Sequence, residues 1–336
     1  AAFQSNTIGP PGRGRGVTVG RWASRVSGAP EVFGELPMTC LAEEIETAGP
    51  GQVKALITVA SNPVLSSPNG PRLAAALEQL DFMVSLDIYL NETSRHADVI
   101  LPGWSPLEDD HYDVAFPQLS ARNHARFSGP VFAPAPDHPP EWHSLLRLAA
   151  IARGLGAQAD VLALDDELAA EDVRRSAGES ADLVLAAVAD RKGPERLLDL
   201  ALRAGPYGDG FGLRPGGLTL DCVQSAPGGV DLGPLAPRVP EVLRTQSGRI
   251  ELAPALLIAD VARAWADIDT RAASMVVIGR RDLRSNNSWM HNLSTLAKGP
   301  FRGAALVSPQ DAARLGLEDG GLALLSGAGR TLTVTV

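Results

Sequence analysis

Three predominantly apolar runs between residues 54 and 102 alternate with helical or turn segments. The runs are Ala55–Ala60, Phe82–Leu86 and Val99–Leu101, and β-branched side chains are frequent in them. Short apolar runs without strict polar alternation are typical of parallel strands that are covered on both faces. The pattern therefore predicts successive strands of a doubly wound α/β sheet with parallel strands.

A helix is predicted between the first two of these strands. Asn69 is suited to cap it, and Pro71 is suited to its first turn. The apolar positions that repeat at helical spacing along one face are Leu73, Ala76, Leu77 and Leu80. Such a short crossover between parallel strands is expected to be right-handed.

Polar residues follow two of the predicted strands at the points where the strands end. Ser61, Asn62 and Pro63 come after the first strand, and Asp87 comes after the second. In open parallel sheets, ligands bind beyond the carboxyl ends of the strands. An Asn in a loop and an Asp at a strand end suit phosphate or ribose oxygens and the donor edge of a purine. The alternative for Asp87 is that it only caps the following turn.

Helical patterns continue outside the predicted sheet. Thr39 is expected to cap a short helix, and Glu141–Ile151 is an amphipathic helix followed by glycines. Between residues 160 and 204 the pattern predicts two or three helices, with caps at Asp160 and Ser180 and a Gly193-Pro194 start for the last. Nothing in that stretch indicates catalysis.

A change of pattern begins at residue 205. The stretch 205–244 is rich in Gly and Pro and is interpreted as a long ordered linker, because it lacks the glycine spacing of a phosphate-binding loop. The remainder is predicted to be all-β apart from one short helix at 309–316. The expected strands are Ser274–Ile278, Ala304–Val307, Leu322–Leu325 and Thr331–Val336.

Composition narrows the class of protein. The 336 residues are 45% hydrophobic, which suffices for two globular units, and the net charge of -9 argues against a nucleic-acid partner. Cys40 and Cys222 are far apart and form no paired motif, which excludes a cysteine-ligated cluster or a Cys-rich zinc site within this chain. The Gly/Pro/Arg-rich residues 1–30 predict a loop, although an anion-binding or nucleic-acid arm is the alternative.

The chain shows no apolar run long enough to span a membrane and no signal peptide, so the expected location is cytoplasmic. It starts without Met and stops within an alternating strand, and both ends are therefore interpreted as cut from a longer protein. Residues 108–111 (Glu-Asp-Asp-His) raise the alternative of a metal site. Consecutive side chains rarely point at one centre, so no metal ligand is assigned.

A second group of polar residues lies between 279 and 292, where donors to hydrogen bonds surround an aromatic ring. A fused heterocycle with carbonyl, ring-nitrogen and amino groups would need such an array. The candidate contacts are Arg284, Ser285, Asn286, Asn287, Trp289, His291 and Asn292.

Three blocks in this order resemble one family. They are Ser61-Asn-Pro63, Leu80-Asp-Phe-Met-Val-Ser-Leu-Asp-Ile-Tyr-Leu-Asn-Glu-Thr93 and His96-Ala-Asp-Val-Ile-Leu-Pro102. Together they are similar to the large subunits of molybdopterin-dependent oxidoreductases, which include formate dehydrogenases, nitrate reductases and dimethyl sulfoxide reductases. The segment Ser308–Gly320 also resembles that family's helix and turn, and the loop 284–292 resembles its pterin-contacting loop.

The resemblance implies a carboxyl-side fragment in three parts: a molybdopterin dinucleotide-binding α/β region over 1–157, a helical segment and linker over 158–243, and a dinucleotide-binding β-barrel over 244–336. It implies a cofactor, molybdopterin guanine dinucleotide in the bis form with molybdenum or tungsten. It also adds Glu92 and Thr93 to the cofactor contacts. Any iron–sulfur cluster, and any protein ligand to the metal, is expected in a segment before residue 1.

In such an enzyme the cofactor exchanges two electrons with a small substrate, and an electron-transfer subunit or carrier is the expected partner. No catalytic residue is assigned within this chain. Two alternatives stay open: a catalytically silent scaffold relative in a respiratory complex, and a simple nucleotide-binding module that would not need residues 245–336. The 336-residue chain alone is expected to be neither a redox enzyme nor a metal protein.

Overall fold

The computed structural model describes residues 19–115, 120–237, 239, 243, 245–270, 275–299, 301–327 and 329–336. The predicted loop at 1–30 is thus described only from residue 19. The contacts between residues divide the chain into two compact units, residues 1–252 and 253–336. The two units are described separately.

Unit 1 is a mixed α/β structure. Its strands are β1 (Val19–Ala23), β2 (Pro30–Val32), β3 (Ala55–Val59), β4 (Phe82–Leu86), β5 (Val99–Leu101), β6 (His111–Tyr112), β7 (Arg122–Ala125), β8 (Phe127–Ser128) and β9 (Val230–Pro234). Its helices are α1 (Leu41–Glu46), α2 (Pro63–Ser66), α3 (Gly70–Leu77), α4 (Glu141–Ala152), α5 (Val161–Ala177), α6 (Ala181–Ala186), α7 (Gly193–Ala204) and α8 (Leu220–Gln224).

The predicted parallel sheet is present. It has three strands in the order β3-β4-β5, and both pairs are parallel. Ile57 lies opposite Val84, and Val84 lies opposite Val99, so the carboxyl ends of the three strands share one edge. The three predicted runs match the observed strands to within one residue.

The crossover between β3 and β4 packs the predicted apolar face of α3 onto the sheet. Leu73, Ala76 and Leu77 are buried with Ile45 of α1 and Met83 of β4 in one core cluster. Burial of these side chains on both layers is the main source of stability for this half of the unit. Leu80, the fourth predicted position, packs against the same cluster while partly buried.

The predicted helix caps are only partly confirmed. Asp160 caps α5, because its carboxylate accepts from the backbone N–H groups of Leu162 and Ala163. Asn69 and Ser180 occupy cap positions without a side-chain hydrogen bond. The Thr39 cap is wrong, since Thr39 lies inside a 3-10 turn and α1 follows directly from Cys40.

The Gly/Pro-rich segment after residue 205 folds onto unit 1. Its strand β9 pairs antiparallel with β7. Leu218, Leu220 and Val223 from this segment are buried with Leu202 of α7 and Ala125 of β7. The segment therefore supplies part of a second core cluster.

Unit 2 contains α9 (Ala255–Thr270), α10 (Ser294–Ala297), α11 (Pro309–Leu315) and an antiparallel hairpin of β10 (Leu322–Gly327) and β11 (Arg330–Thr335). The predicted short helix and last two strands are confirmed. The prediction that this part of the chain is all-β apart from one helix is wrong, because it also contains the helices α9 and α10.

The predicted β-barrel is not supported by the described residues of unit 2, which form one hairpin and no closed barrel. Ser274 of the expected strand Ser274–Ile278 lies outside the described residues, and neither 275–278 nor 304–307 forms a strand. A strand needs a partner for its backbone groups, and the only such bond described for 304–307 runs from Ala305 N–H to the carbonyl oxygen of Thr335 at 2.8 Å. The apolar composition of these two segments favours an extended backbone locally, but it does not specify a neighbouring strand to pair with.

Candidate functional site

The chain turns sharply where β3 ends. Ala60 has a left-handed backbone with φ of 45°, and its N–H donates to the carbonyl oxygen of Leu86 at 2.8 Å. That conformation is uncommon for a residue with a Cβ and often marks functional sites. Ser61 follows with an exposed side chain, and Pro63 is buried at the start of α2.

Asn62 is held in place by the loop that follows β4. Its amide nitrogen donates to a carboxylate oxygen of Glu92 at 2.7 Å, and its amide oxygen accepts from the Thr93 hydroxyl at 2.7 Å. The same hydroxyl accepts from the N–H of Val64 at 3.0 Å. Thr93 is 0% exposed, so in this structure it positions Asn62. Direct contact of Thr93 and Glu92 with a cofactor stays a prediction.

Asp87 lies at the carboxyl end of β4 and organises its own loop. One carboxylate oxygen accepts from the N–H of Tyr89 at 2.9 Å, and the other accepts from the side-chain amide of Asn91 at 2.8 Å. The Asp87 N–H donates to the carbonyl oxygen of Leu101 at 3.3 Å, which ties the ends of β4 and β5 together. Asp87 therefore does cap the following turn, as the alternative interpretation held.

The capping role leaves Asp87 capable of binding a ligand. A carboxylate offers about four lone-pair positions, and the two loop hydrogen bonds occupy two. The side chain is only half-buried. The strand-end residues of unit 1 thus combine an oriented amide with an oriented carboxylate at one edge, and this donor set fits the ribose hydroxyls or the N–H groups of a dinucleotide cofactor.

A further carboxylate, that of Glu141, interacts through its charge with Asp109 and Asp87. The side chain of Glu141, at the start of α4, packs directly on Gly103, where any Cβ would collide with its carboxylate. Burial, followed by the charges of Asp109 and Asp87, raises the pKa of Glu141. Acidic groups therefore accumulate at the carboxyl end of β5 as well as β4.

A cavity of about 480 Å³ opens beside the end of β5. Trp104 forms part of its wall, and the indole N–H donates to the carbonyl oxygen of His138 at 2.8 Å. The His138 ring nitrogen Nε2 is 2.8 Å from the carbonyl oxygen of Pro102, the residue after β5. His143 from α4 completes the wall, and its ring meets Trp142 edge to face.

The second set of predicted contacts lies in unit 2. The segment 282–293 forms consecutive turns, with left-handed backbone at Asn286 and Asn287. The N–H of Arg284 and the hydroxyl of Ser285 bond back to Asp282. Six of the seven predicted contacts are exposed and Ser285 is half-buried; the exposed ones are Arg284, Asn286, Asn287, Trp289, His291 and Asn292. Their contact with a pterin stays a prediction.

The residues around the cavity were not predicted. Trp104 and His138 fall in a stretch without periodicity, and His143 has the pattern of an ordinary helical residue. The only available signal was position, since residues 102–104 directly follow a predicted parallel strand. Within the described residues, no group of three or more His, Cys, Asp or Glu side chains is placed to hold a metal ion.

Comparison with known proteins identifies the family. Residues 2–130 match the model of the molybdopterin oxidoreductase family. The chain is 44% identical over 68 residues to the assimilatory nitrate reductase catalytic subunit of Bacillus subtilis, which is 20% of this chain and 10% of that protein. It is 42% identical over 59 residues to the F420-dependent formate dehydrogenase 1 subunit alpha of Methanococcus maripaludis, which is 18% of this chain and 9% of that one.

The fold has a solved relative. Acetylene hydratase from Pelobacter acetylenicus superimposes with a TM-score of 0.55 and 18% identity, covering 89% of this chain and 37% of that chain. The chain thus spans little over a third of this structure, and its matches span about a tenth of the curated relatives. None of the described helices has the length and apolar character to cross a bilayer. The matched residues 2–130 include both strand-end loops built around Asn62 and Asp87, and this part of the chain is a molybdopterin oxidoreductase domain.

Proposed function

We propose that this chain is the cofactor-binding carboxyl-side part of a molybdenum or tungsten oxidoreductase. The observation that carries the proposal is the pair of oriented polar side chains, Asn62 and Asp87, at the carboxyl edge of the parallel sheet. Ligands of open parallel sheets bind at this edge. The cofactor is molybdopterin guanine dinucleotide, in the bis form, and it supplies two-electron redox chemistry at its metal when bound.

The residues of this chain hold and orient the cofactor. Asp87 accepts hydrogen bonds from guanine N–H groups or a ribose hydroxyl, while Asn62 and Ser61 contact the adjoining polar groups. In unit 2 the segment from Arg284 to Asn292 contacts a pterin. The division into 1–157, 158–243 and 244–336, the last with a dinucleotide-binding barrel when complete, belongs to the same proposal.

The complete protein is proposed to act on a small substrate, in the class of the nitrate and formate that name its relatives. Electrons leave through an iron–sulfur cluster outside this chain to an electron-transfer subunit or carrier. The chain itself holds two cysteines, fewer than the about four thiolates that a cluster needs. The protein is proposed to work in the cytoplasm without a nucleic-acid partner.

The test is the cofactor content of the full-length protein after Asp87→Ala. Removing a charged acceptor leaves buried donors of the cofactor unpaired and should cost about 2 kcal/mol of binding, or about 30-fold. Molybdenum or tungsten per chain, measured by mass spectrometry under limiting cofactor, should fall accordingly. Asp81→Ala is the matched control, because Asp81 precedes β4 at the opposite edge and forms an exposed 3.7 Å ion pair with Lys54.

A second variant distinguishes direct binding of the cofactor by Asp87 from the effect of Asp87 on the order of the loop after β4. Asn91→Ala removes the 2.8 Å bond that Asn91 makes to Asp87 but keeps the carboxylate. It should lower cofactor content less than Asp87→Ala. Equal cofactor content in wild type and Asp87→Ala would refute the role of Asp87, and a wild-type protein without molybdenum or tungsten would refute the proposed activity.

A further inference from the structure

One face of the parallel sheet is only partly covered. α3 packs on the face that carries Met83, here called the inner face, and the opposite face is the outer face. Val84 and Leu86 point to the outer face and are buried, so the uncovered surface lies along β3 and at the starts of β4 and β5. The outer-face side chains that are between 40% and 52% exposed are Ile57, Val59, Phe82 and Val99. Parallel strands are normally covered on both faces, so among the described residues this surface lacks a layer.

β3 is an edge strand without the usual protection of an edge. Among the described residues it pairs with β4 alone, in a continuous register from Ala55 to Val59. Strands that remain at an edge usually carry a charge, a proline or a bulge, because their unpaired backbone groups would otherwise recruit another strand. The segment Ala-Leu-Ile-Thr-Val contains none of these. β3 therefore has the composition of an interior strand.

The direction in which the chain runs through the sheet indicates what the outer face requires. From β3 the chain proceeds to β4 and then to β5, always away from β3, and the crossover helix α3 lies on the inner face. In a doubly wound sheet the chain builds outward in both directions from the centre, and right-handed crossovers place the helices of the two directions on opposite faces. A run of strands beyond the free edge of β3 would therefore place its helices on the outer face.

The position of Asn62 gives an independent reason to place a strand at that edge. Asn62 follows β3 and is held from the β4 side by Glu92 and Thr93. Ligands of doubly wound sheets bind at the switch point, where neighbouring strands lead outward in opposite directions. In the part of the chain that the structure describes, no strand lies on the other side of β3, so Asn62 is at the margin of the sheet. A strand added there would turn the end of β3 into a switch point.

We infer that the part of the complete protein that precedes residue 1 adds a parallel strand to the free edge of β3 and packs a crossover helix on the outer face. The inference rests on the proposed function, in which this chain is the carboxyl-side part of a longer enzyme. The match to the solved relative covers 37% of that chain, so most of that relative lies outside the matched part. The site built around Asn62 and Asp87 is then completed by another part of the same polypeptide.

Amide hydrogen exchange of the full-length protein tests the added strand without any substitution. Successive residues of a strand direct their backbone groups to opposite sides, so β4 can accept from only about half of the N–H groups of β3. With a strand on the free edge, both sets of β3 amides should exchange as slowly as those of β4, which is paired on both sides. Exchange of the outward set at least about 100-fold faster than the paired set would overturn the inference.

Photocrosslinking of the full-length protein identifies the segment that covers the outer face. A photoreactive phenylalanine analogue replaces Ile57, and mass spectrometry identifies the cross-linked peptide. We expect a peptide from before residue 1. A peptide from 253–336, from a second copy or from another protein, or no cross-linked peptide, would overturn the inference. The same analogue at Leu183, which is 50% exposed on α6, is the matched control and should not yield the peptide captured from position 57.

These outcomes are separable from the proposed function. Neither measurement requires bound cofactor. Slow exchange along the whole of β3 in a protein without molybdenum or tungsten would keep the inference and refute the proposed activity. Stoichiometric metal together with fast exchange on the free side of β3 would keep the proposed activity and refute the inference.

Discussion

Thr93 illustrates how a side chain without exposed surface can control a binding edge. Its hydroxyl donates to Asn62 and accepts from the N–H of Val64. Thr93→Val keeps the shape but leaves both partners unpaired, and should lower the free energy of unfolding by about 1–3 kcal/mol. Urea denaturation measures the loss. Thr331→Val on the exposed strand β11 is the control, and a Thr93→Val protein as stable as that control would contradict the assignment.

A second residue-scale prediction concerns acid stability. Glu31 is 0% exposed, and it accepts from the guanidinium and the N–H of Arg21 and from the N–H of Gly34. The bonds to Arg21, more than any other contact, lower the pKa of Glu31 from 4.5 to about 2. A folded pKa below the unfolded one gives stability that is complete above pH 4.5 and is lost as the pH falls towards 2.

Glu31→Gln should therefore remove part of the decline in stability between pH 4.5 and pH 2. Thermal melts of wild type and variant across this range measure it. Glu179→Gln, an exposed carboxylate beyond α5, provides the comparison and should leave the profile as in wild type. Parallel profiles for Glu31→Gln and wild type would show that the pair with Arg21 does not form in solution.

At the scale of elements, α7 differs from an ordinary amphipathic helix because it buries charge. Asp199 is 0% exposed, and it bonds to Arg203 at 3.0 Å and to the N–H of Leu220 at 2.7 Å. Arg191 lies 3.3 Å from the same carboxylate. This arrangement connects α7 to α8. Removal of the central carboxylate leaves the Leu220 N–H unpaired and leaves each guanidinium with fewer carboxylate partners, Asp221 for Arg191 and Asp209 for Arg203.

Asp199→Ala should lower the free energy of unfolding by about 3–5 kcal/mol, as for other broken buried pairs. Asp172→Ala is the matched control, because Asp172 pairs with Arg175 on the exposed face of α5, where such a pair contributes about 0–1 kcal/mol. Chemical denaturation of the three proteins gives both differences. Similar losses for the two variants would mean that the α7 network is solvated.

The elements that were predictable are those whose signal is local. The strands β3, β4 and β5 read as continuous apolar runs, and Pro309–Leu315 carries its cap, proline and glycine signals in sequence. Strand pairing depends on residues that are distant in sequence. The apolar residues 275–278 were therefore predicted to be a strand of a barrel, although the sequence did not show which strand they would pair with. Asn62 and Asp87 were found by position at strand ends, whereas the bond of Asn62 to Thr93, 31 residues away, requires the fold.

On the scale of the whole molecule, the two units differ in how much apolar surface they bury. All the buried side chains among the described residues lie between Ser24 and Val223. In unit 2 the described side chains are exposed or half-buried, and Val276, Val277 and Ile278 are each more than 70% exposed. Since hydrophobic burial is the dominant favourable term in folding, unit 2 of this chain should open at a lower free energy than unit 1.

Amide hydrogen exchange tests this directly on two sets of strands. β4 is bonded on both sides within the parallel sheet and buries Met83, Val84 and Leu86, whereas the hairpin β10–β11 has six paired positions and mainly exposed side chains. The comparison is restricted to amides that donate within a strand pair, for which hydrogen bonding alone would predict similar protection. We expect amides of the hairpin to exchange at least about 100-fold faster, a difference of about 2.7 kcal/mol in opening free energy. Equal protection would show that burial does not set the local stability of this chain.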